Sequence, residues 1–367
     1  MPRVVGIDPG TKSYDLFGLE DETVFLDRSI PTEKIARKPN LLYQALSAVG
    51  SIDAIVAPLG YGLPLRRIDA LRSKELAVMN LLRKDDTAVS VPESLVNYDA
   101  VISCLQKASS RVYAIPGVIL LPTVPAFRKV NKIDMGTPDK VCSAVLALHD
   151  FLRKRVPIEE ATFILVEAGY AYNAVIGVQN GKIIDGIGGT TGSLGFNSLG
   201  AMDGELAYLL EPFSKDVLFQ GGVTSIVGKK NLSPKEFVEF VEKKNVKYCL
   251  AWSAFIEGLA KSIMTIKVSV GKPTEILVSG RLARFEKFFQ LMKPNLTRYG
   301  YVRKVVGLGK NTKEAAQGAA IIADGLMNGK SRQLVEHLGL KKARGTVLDY
   351  LFLKQARALR REYWGTS

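Results

Sequence analysis

The chain has 367 residues, of which 47% are hydrophobic and 23% are charged, a composition typical of a folded protein with room for two domains. Its formal net charge is +14, but the 38 residues from Lys330 onward hold nine basic and three acidic residues, a net +6. Because much of the excess lies in this one segment, the charge fits an anionic small substrate as well as a polynucleotide, and nucleic acid is not the expected partner.

Cysteine and histidine are too sparse for a disulfide framework or a histidine-rich metal site. Cys104, Cys142 and Cys249 are far apart and odd in number, and the only histidines are His149 and His337. The sequence has no apolar run that approaches bilayer thickness and no signal-peptide pattern at the N-terminus. We therefore expect a cytoplasmic protein with no membrane partner.

The chain begins with a predicted meander of three short strands, residues 4–7, 14–19 and 23–26. The first strand ends at Asp8 and turns at once through small and polar residues. Backbone amides and hydroxyls in such a turn can surround a phosphate, and Asp8 can bind Mg²⁺ directly or through water. The candidate phosphate-binding residues of the turn are Gly10, Thr11, Lys12 and Ser13.

Helices and strands alternate in the next part of the chain. The predicted helices are residues 41–49, 66–84, 93–107 and 137–155, and the predicted strands are residues 54–57 and 111–121. The last of these helices has Thr137 at its N-cap, Pro138 at its first position and Asp139 near the positive end of its dipole.

Two loops in this region carry candidate catalytic residues. Arg66, beside Arg67, can hold a carboxylate or a transferring phosphoryl group. Asp134 precedes the proline-started helix and is a candidate base or metal-shell residue.

A second predicted meander follows, with strands at residues 163–166, 174–178 and 182–185. Its first strand ends at Glu167, and Gly169 follows, so the carboxylate and glycine of the opening turn recur at the matching place. A glycine-rich loop comes next and offers many N–H and O–H donors with little steric bulk. The candidate ligand-binding residues of this loop are Gly188, Gly189, Thr190 and Thr191.

The remaining elements are mostly helical, with predicted helices that begin near residue 234 and span residues 248–270 and 312–327. A buried strand at residues 275–278 enters a helix through Ser279, Gly280 and Arg281, where the helix N-terminus can face an anion. The pattern of a meander followed by mixed strands and helices thus occurs twice, and such a duplication usually builds two similar lobes that face a cleft.

Taken in order, these segments resemble the acetate and sugar kinase, Hsp70 and actin superfamily. The landmarks are a phosphate-1 turn, a first connecting helix, a phosphate-2 turn, an adenosine motif and a second connecting helix, at residues 6–13, 137–148, 166–172, 277–283 and 312–325. More closely, residues 127–140 and NGKIIDGIGGTTGSLG at 180–195 are similar to an uncharacterised archaeal family described as predicted butyrate kinases.

The resemblance covers roughly residues 3–328 and implies an α/β fold of two ribonuclease-H-like, actin-like lobes facing a nucleotide cleft, plus a helical C-terminal tail. The implied divisions are an N-terminal lobe (1–156), a C-terminal lobe (157–311), a connecting helix that returns to the N-terminal lobe (312–328) and a basic helical tail (329–367).

The resemblance also implies an ATP-dependent phosphotransferase that moves the γ-phosphoryl group of ATP to a small carboxylate or related acceptor. Asp8 and Glu167 would organise Mg²⁺ and take part in catalysis with Asp134 and Arg66. ATP would bind to the two turns, the glycine-rich loop and the Ser279–Arg281 segment, and a homodimer is compatible with this reading.

Two other functions stay open. GIDPGT at residues 6–11 also resembles the opening of RuvC-type Holliday-junction resolvases, which need several carboxylates around two metal ions. Tyr170 and Tyr172 stand where the superfamily usually has small residues, which favours a nucleotide-binding regulator without catalysis.

Overall fold

The structure is a computed structural model that describes residues 1–81 and 98–364. The predicted helical residues 82–84 and 93–97 lie outside the described part of the chain. Within it, the strands are β1 (Arg3–Pro9), β2 (Ser13–Glu20), β3 (Thr23–Pro31), β4 (Ala54–Val56), β5 (Gly62–Arg67), β6 (Val112–Pro116), β7 (Phe163–Ala168), β8 (Asn173–Gln179), β9 (Lys182–Ile187), β10 (Glu275–Ser279) and β11 (Val302–Lys304).

These strands form two sheets of equivalent topology. The first has the order β3-β2-β1-β4-β6-β5 and the second β11-β10-β7-β8-β9. In each sheet the three meander strands pair antiparallel, and two further strands, β4 and β6 in the first and β10 and β11 in the second, add in parallel beside the first meander strand. The first sheet also has a sixth strand, β5, which pairs antiparallel with β6 at the edge. β1 and β7 therefore occupy the same central position in their sheets, and their carboxyl ends carry Asp8 and Glu167.

Helices cover and connect the sheets. They are α1 (Thr32–Arg37), α2 (Asn40–Ser47), α3 (Ser73–Asn80), α4 (Tyr98–Ala108), α5 (Ala126–Lys129), α6 (Pro138–Arg153), α7 (Gly204–Leu210), α8 (Val223–Val227), α9 (Pro234–Glu242), α10 (Val246–Val270), α11 (Arg281–Arg284), α12 (Glu286–Leu296), α13 (Glu314–Leu326), α14 (Arg332–His337) and α15 (Ala356–Trp364). Short 3-10 turns lie at Ile68–Ala70, Val118–Leu120, Ile158–Glu160, Lys215–Phe219, Thr297–Tyr299 and Leu340–Lys342.

The largest hydrophobic core joins both sheets through α6 and α13. Helix α13 is rich in alanine and glycine, and this small-residue composition lets its neighbours approach closely. A Cβ at Gly318 would lie 1.8 Å from the carbonyl oxygen of Cys142 in α6, and a Cβ at Gly6 in β1 would lie 2.1 Å from that of Ala316. The two helices consequently fix the carboxyl ends of β1 and β7 close to each other.

Helix boundaries follow the local chemistry in several places. Pro138 is the first residue of α6 and Thr137 is its N-cap, as predicted, but the Thr137 hydroxyl donates to Asp139 rather than capping the helix. At α9 the hydroxyl of Ser233 accepts the backbone N–H of Glu236 at 3.1 Å, which is an ordinary N-cap.

Two predicted elements differ in the structure. The helix predicted from residue 66 begins only at Ser73, because residues 62–67 form the edge strand β5. Pro64 has no backbone N–H, and an edge strand tolerates the missing hydrogen-bond donor. The strand predicted over residues 111–121 ends at Pro116, and a 3-10 turn follows at Val118–Leu120.

The C-terminal tail is partly integrated into the main body. Leu334, Leu338, Leu340 and Leu348 are buried in the core that joins the two sheets, so this part of the tail is not a solvated appendage. Beyond it, residues such as Leu353 are exposed.

The 25-residue helix α10 is long and apolar enough to cross a membrane, by length and composition alone. The sequence-based expectation that no segment reaches this length is therefore wrong for α10. Half of its most apolar window is buried within the protein, and it packs against the second sheet through side chains such as Phe255, Leu259 and Ile263. The helix thus has the environment of a core helix.

Candidate functional site

A cavity of about 240 Å³ opens where the strand ends of the two sheets face each other. It is lined from the first half of the chain by Asp8, Pro9, Gly10, Thr11, Lys12, Pro58, Gly60, Tyr61, Asn80, Asp134, Thr137, Asp139 and Lys140. It is lined from the second half by Glu167, Gly169, Tyr170, Ala171, Tyr172, Gly189, Thr190, Lys215, Phe219, Arg281 and Lys313. Both predicted phosphate turns and the glycine-rich loop therefore meet in one space.

Asp8 is buried at the base of this cavity and is paired with a lysine. Its Oδ2 atom contacts the ammonium group of Lys313, which lies immediately before α13. Asp15, the register partner of Asp8 on β2, is 3.6 Å from the same ammonium group through its own Oδ2. The second oxygen of Asp15, Oδ1, is buried and has no hydrogen-bond partner among the described residues.

Glu167 has an equivalent arrangement at the end of β7. Its Oε1 atom lies 3.2 Å from the ammonium group of Lys140, and its Oε2 atom accepts the Ser143 hydroxyl at 3.3 Å. Lys140 also contacts Asp139, its neighbour in the first turn of α6. We define the carboxylate–lysine cluster as Asp8, Asp15, Asp139, Glu167, Lys140 and Lys313.

Burial changes the charge balance of this cluster. Burial raises the pKa of Glu167 to about 6, although Lys140 opposes the shift, and it also raises the pKa of Asp8 against the attraction of Lys313. Burial would also raise the pKa of Asp139, but Lys140 and the Thr137 hydroxyl outweigh it and hold that pKa below its ordinary value. For both lysines, the surrounding carboxylates outweigh burial and raise the pKa, so the ammonium groups stay charged.

Asp134 holds the glycine-rich loop in place. Its Oδ2 atom accepts hydrogen bonds from the backbone N–H and the hydroxyl of Thr190, at 3.0 and 3.1 Å. Its backbone carbonyl accepts the Thr191 hydroxyl at 2.7 Å. A Cβ at Gly188 would lie 1.7 Å from Asp134 Oδ1, so the loop can sit on this carboxylate only because residue 188 is glycine. With its oxygens engaged in this way, Asp134 has the geometry of a positioning residue.

Tyr170 and Tyr172 line the cavity, but their hydroxyls point to backbone carbonyls of the second half. Tyr170 donates to Leu232 O at 2.9 Å, and Tyr172 donates to Leu218 O at 2.7 Å. The Lys12 ammonium lies 4.9 Å from the centre of the Tyr170 ring, a cation–π distance. The two tyrosines therefore form walls of the cavity, and one of them is in contact with the phosphate-1 turn.

The predicted adenosine segment reaches the phosphate-1 turn from the second sheet. Arg281 donates to the Ser13 hydroxyl at 2.9 Å and lines the cavity. Gly280 has φ +92°, and a Cβ there would lie 2.6 Å from Ala168 O, so both backbone conformation and space favour glycine. The Ser279 hydroxyl is buried and unpaired among the described residues.

Arg66 is not brought to the cavity. Its guanidinium group donates to the buried carboxylate of Glu75 at 2.6 Å, and it borders a separate cavity beside the C-terminal tail. Lys215 lines the cavity between the sheets instead, and it donates to the backbone carbonyl of Leu81 at 3.1 Å.

Sequence reasoning missed four of the six members of the carboxylate–lysine cluster as site residues, namely Asp15, Asp139, Lys140 and Lys313. Lys140 follows Asp139 in the helix start that the sequence did indicate, and Lys313 stands just before the predicted small-residue helix. A lysine at the N-terminal end of each connecting helix was thus the available signal, but the strand-end acids that these lysines contact, Glu167 and Asp8, lie far away in the sequence.

Solved structures of small-molecule kinases share this fold. An acetate kinase from Porphyromonas gingivalis is similar with a TM-score of 0.58 and 13% identity, over 89% of this chain and all of that one. A propionate kinase from Francisella tularensis subsp. tularensis SCHU S4 has a TM-score of 0.57 and 13% identity, over 87% and 99% of the two chains. An acetate kinase from Entamoeba histolytica has a TM-score of 0.57 and 14% identity, over 81% and 87%.

These similarities confirm the predicted fold, an α/β protein of two actin-like lobes. No curated protein sequence matches the chain. The sequence pattern of one family, described as Protein of unknown function (DUF1464), matches residues 6–353. Since this match spans nearly the whole chain, the protein belongs to that family.

Proposed function

We propose that this protein is an ATP-dependent phosphotransferase that transfers the γ-phosphoryl group of ATP to a small carboxylate or related acceptor. The observation that carries the proposal is the meeting of two equivalent strand ends, with Asp8 and Glu167, in one cavity between the sheets. The likeness in fold to acetate and propionate kinases supports the same reading.

The chain's own groups would divide the work of the reaction. Thr11 and Lys12 would bind phosphate oxygens through backbone N–H groups, a hydroxyl and an ammonium group, on a turn that Gly10 closes by donating its own N–H to Ser13 O. On the opposite wall, Gly189 offers a further backbone donor, and Asp134 keeps this loop in position by accepting both hydrogen bonds of Thr190. During transfer, the bond between the γ-phosphorus and the β–γ bridging oxygen breaks, an acceptor oxygen bonds to the phosphorus, and ADP leaves. Positioning and charge neutralisation are the main requirements of such a step.

The donor set of the cavity fits Mg²⁺. In the described part of the chain no three acidic, histidine or cysteine side chains converge as a preformed metal site. Magnesium, however, is commonly held by one or two carboxylates together with water and substrate phosphates. Asp8 and Glu167 would supply those carboxylates, and the carboxylate–lysine cluster carries four acids and two lysines, so its formal charge with all of them ionised is −2. When bound, the ion would neutralise phosphate charge.

The acceptor is the most specific part of the proposal. Arg66, the residue expected to hold a carboxylate, borders a different cavity, so the acceptor would lie between Tyr61, Tyr172 and Phe219 with Lys215 nearby. The likeness of residues 127–140 and 180–195 to predicted archaeal butyrate kinases favours a short-chain acid such as butyrate. We also place the enzyme in the cytoplasm, and a homodimer is compatible with the proposal.

Calorimetric titration with ATP and MgCl₂ tests nucleotide binding, and an ADP-release assay with acetate, propionate and butyrate then tests transfer. We expect ATP to bind and at least one acid to stimulate ADP release, and we expect Asp8→Asn to reduce this turnover by roughly a hundredfold or more. Asp69→Asn is the matched control, because Asp69 is an exposed acid paired with Arg67, outside the cavity.

Three other outcomes contradict the proposal. Absence of ATP binding would exclude both the phosphotransferase and the nucleotide-binding regulator. Binding without turnover on sugars as well as acids would favour the regulator. Metal-dependent cleavage of branched DNA that Asp8→Asn abolishes would favour the RuvC-like nuclease.

A further inference from the structure

Lys140 and Lys313 are the two lysines of the carboxylate–lysine cluster, and neither is among the phosphate-binding or magnesium-binding residues of the proposed function. Lys313 contacts Asp8 and Asp15, and Lys140 contacts Asp139 and Glu167. The side chain of Lys313 is 18% exposed and that of Lys140 is 13% exposed, and both line the cavity between the sheets. Their positive charges are therefore fixed at the place where the two predicted phosphate turns meet.

The two lysines lie at the N-terminal ends of the two helices that join the sheets, and their ion pairs are crossed between the halves of the fold. Lys140 is in the first turn of α6, which follows the first sheet in the chain, but it pairs with Glu167 on β7 of the second sheet. Lys313 precedes α13, which follows the second sheet, but it pairs with Asp8 on β1 of the first. Each strand-end acid is thus held by a lysine from the other half.

The contacts of each ammonium group leave room for a ligand. An ammonium group has three N–H donors and accepts no hydrogen bond. Among the described residues, Lys140 and Lys313 each contact two carboxylates, so at least one donor of each remains for a group inside the cavity. The phosphate-1 turn comes close to this donor, since a Cβ at Gly10 would lie 2.5 Å from Lys313 Nζ.

We infer that Lys140 and Lys313 bind oxygens of the γ-phosphoryl group, one lysine from each half of the fold. This inference rests on the proposed phosphotransferase function and assigns the residues that neutralise the transferred group. The flanking carboxylates hold both ammonium groups in place before the nucleotide arrives, and preorganised charge of this kind stabilises a phosphoryl transition state without reorganisation.

The inference predicts a loss of discrimination between ATP and ADP. Because the lysines contact only the γ-phosphoryl group, Lys313→Met and Lys140→Met should each weaken ATP–Mg²⁺ binding by roughly tenfold or more, the effect of one charge-assisted hydrogen bond. ADP–Mg²⁺ binding should change by less than about threefold. Calorimetry with each nucleotide measures both values in the absence of acceptor and of turnover.

Two further sets of variants separate ligand contact from folding. Lys313→Met with Asp15→Asn, and Lys140→Met with Asp139→Asn, remove a positive and a negative group together, so each keeps the net charge of the cluster at its wild-type value. They should show the same selective loss of ATP affinity. Lys261→Met is the control, because Lys261 is an exposed lysine on α10 that pairs with Glu257, and it should leave both affinities unchanged.

The outcomes distinguish the inference from the proposed function. If the wild-type protein binds ATP and transfers phosphate while the paired variants keep the wild-type ratio of ATP to ADP affinity, the inference is overturned and the phosphotransferase stands. An equal loss of ATP and ADP affinity in the folded variants also overturns it, because that result indicates a structural role. If the wild-type protein binds no ATP, both proposals fail.

Discussion

Glu167 is the residue in the cavity whose charge depends most directly on pH. Burial raises its pKa from 4.5 in water to about 6, so the folded protein retains a proton that the unfolded chain releases between these values. The stabilising contribution of the neutral carboxyl is complete below pH 4.5 and declines as the pH rises through 6. From well below pH 4.5 to well above pH 6, the contribution of Glu167 to the free energy of unfolding should fall by about 2 kcal/mol in all.

Glu167→Gln removes this decline, because an amide is neutral at every pH. We expect the unfolding free energy of the variant, relative to wild type, to rise by about 2 kcal/mol between pH 4.5 and 7.5 in urea titrations. Glu257→Gln, an exposed glutamate on α10, is the control and should show no such rise. Parallel pH profiles for Glu167→Gln and wild type would show that Glu167 is already ionised at pH 4.5.

Among the elements, the crossing of α6 and α13 sets the geometry of the cavity. Their backbones approach so closely at Gly318 that a methyl group would overlap the Cys142 carbonyl oxygen. Gly318→Ala should therefore lower the free energy of unfolding by roughly 3 kcal/mol, although alanine is the better helix former by about 1 kcal/mol. Gly204→Ala at the start of α7, where a Cβ meets nothing within 4 Å, should change it by less than about 0.5 kcal/mol. Chemical denaturation measures both, and equal values would contradict the close crossing.

The same elements show what sequence reasoning can and cannot predict. The two meanders and the acids at their first turns are local patterns, so the placement of Asp8 and Glu167 at strand ends could be predicted. The pairing of Lys313 with Asp8 joins residues 305 positions apart, and no local pattern reports such a contact. Arg66 shows the opposite case, in which a local pattern predicts a contact that the fold does not make. A pair of arginines beside a glycine loop is typical of a binding site, but Arg66 lies on the edge strand β5 and its guanidinium group pairs with Glu75.

At the scale of the whole molecule, the basic C-terminal tail completes the core that joins the lobes. Leu340, in the tail, has no exposed surface. The buried Lys129 of the main body contacts the hydroxyl of Tyr350 in the tail, and it also donates to Leu121 O at 2.9 Å. Leu340→Ala should thus lower the free energy of unfolding by about 2–5 kcal/mol. Leu353→Ala, whose side chain is 64% exposed in the same tail, should cost less than about 0.5 kcal/mol. If denaturant midpoints fall equally in both variants or in neither, the tail is not integrated as described.

The sequence by itself determined the class of fold and the position of the cleft, because strand periodicity, turn chemistry and helix capping are local properties and here occur twice in the same order. Only the tertiary structure decided which side chains share the cavity. Lys140 in α6 and Lys313 just before α13 reach the acids of the opposite sheet because the two helices pack in contact. Asp134 anchors Thr190 because the glycine-rich loop folds onto it, and Arg66 is withdrawn by Glu75. These relations depend on packing between distant segments.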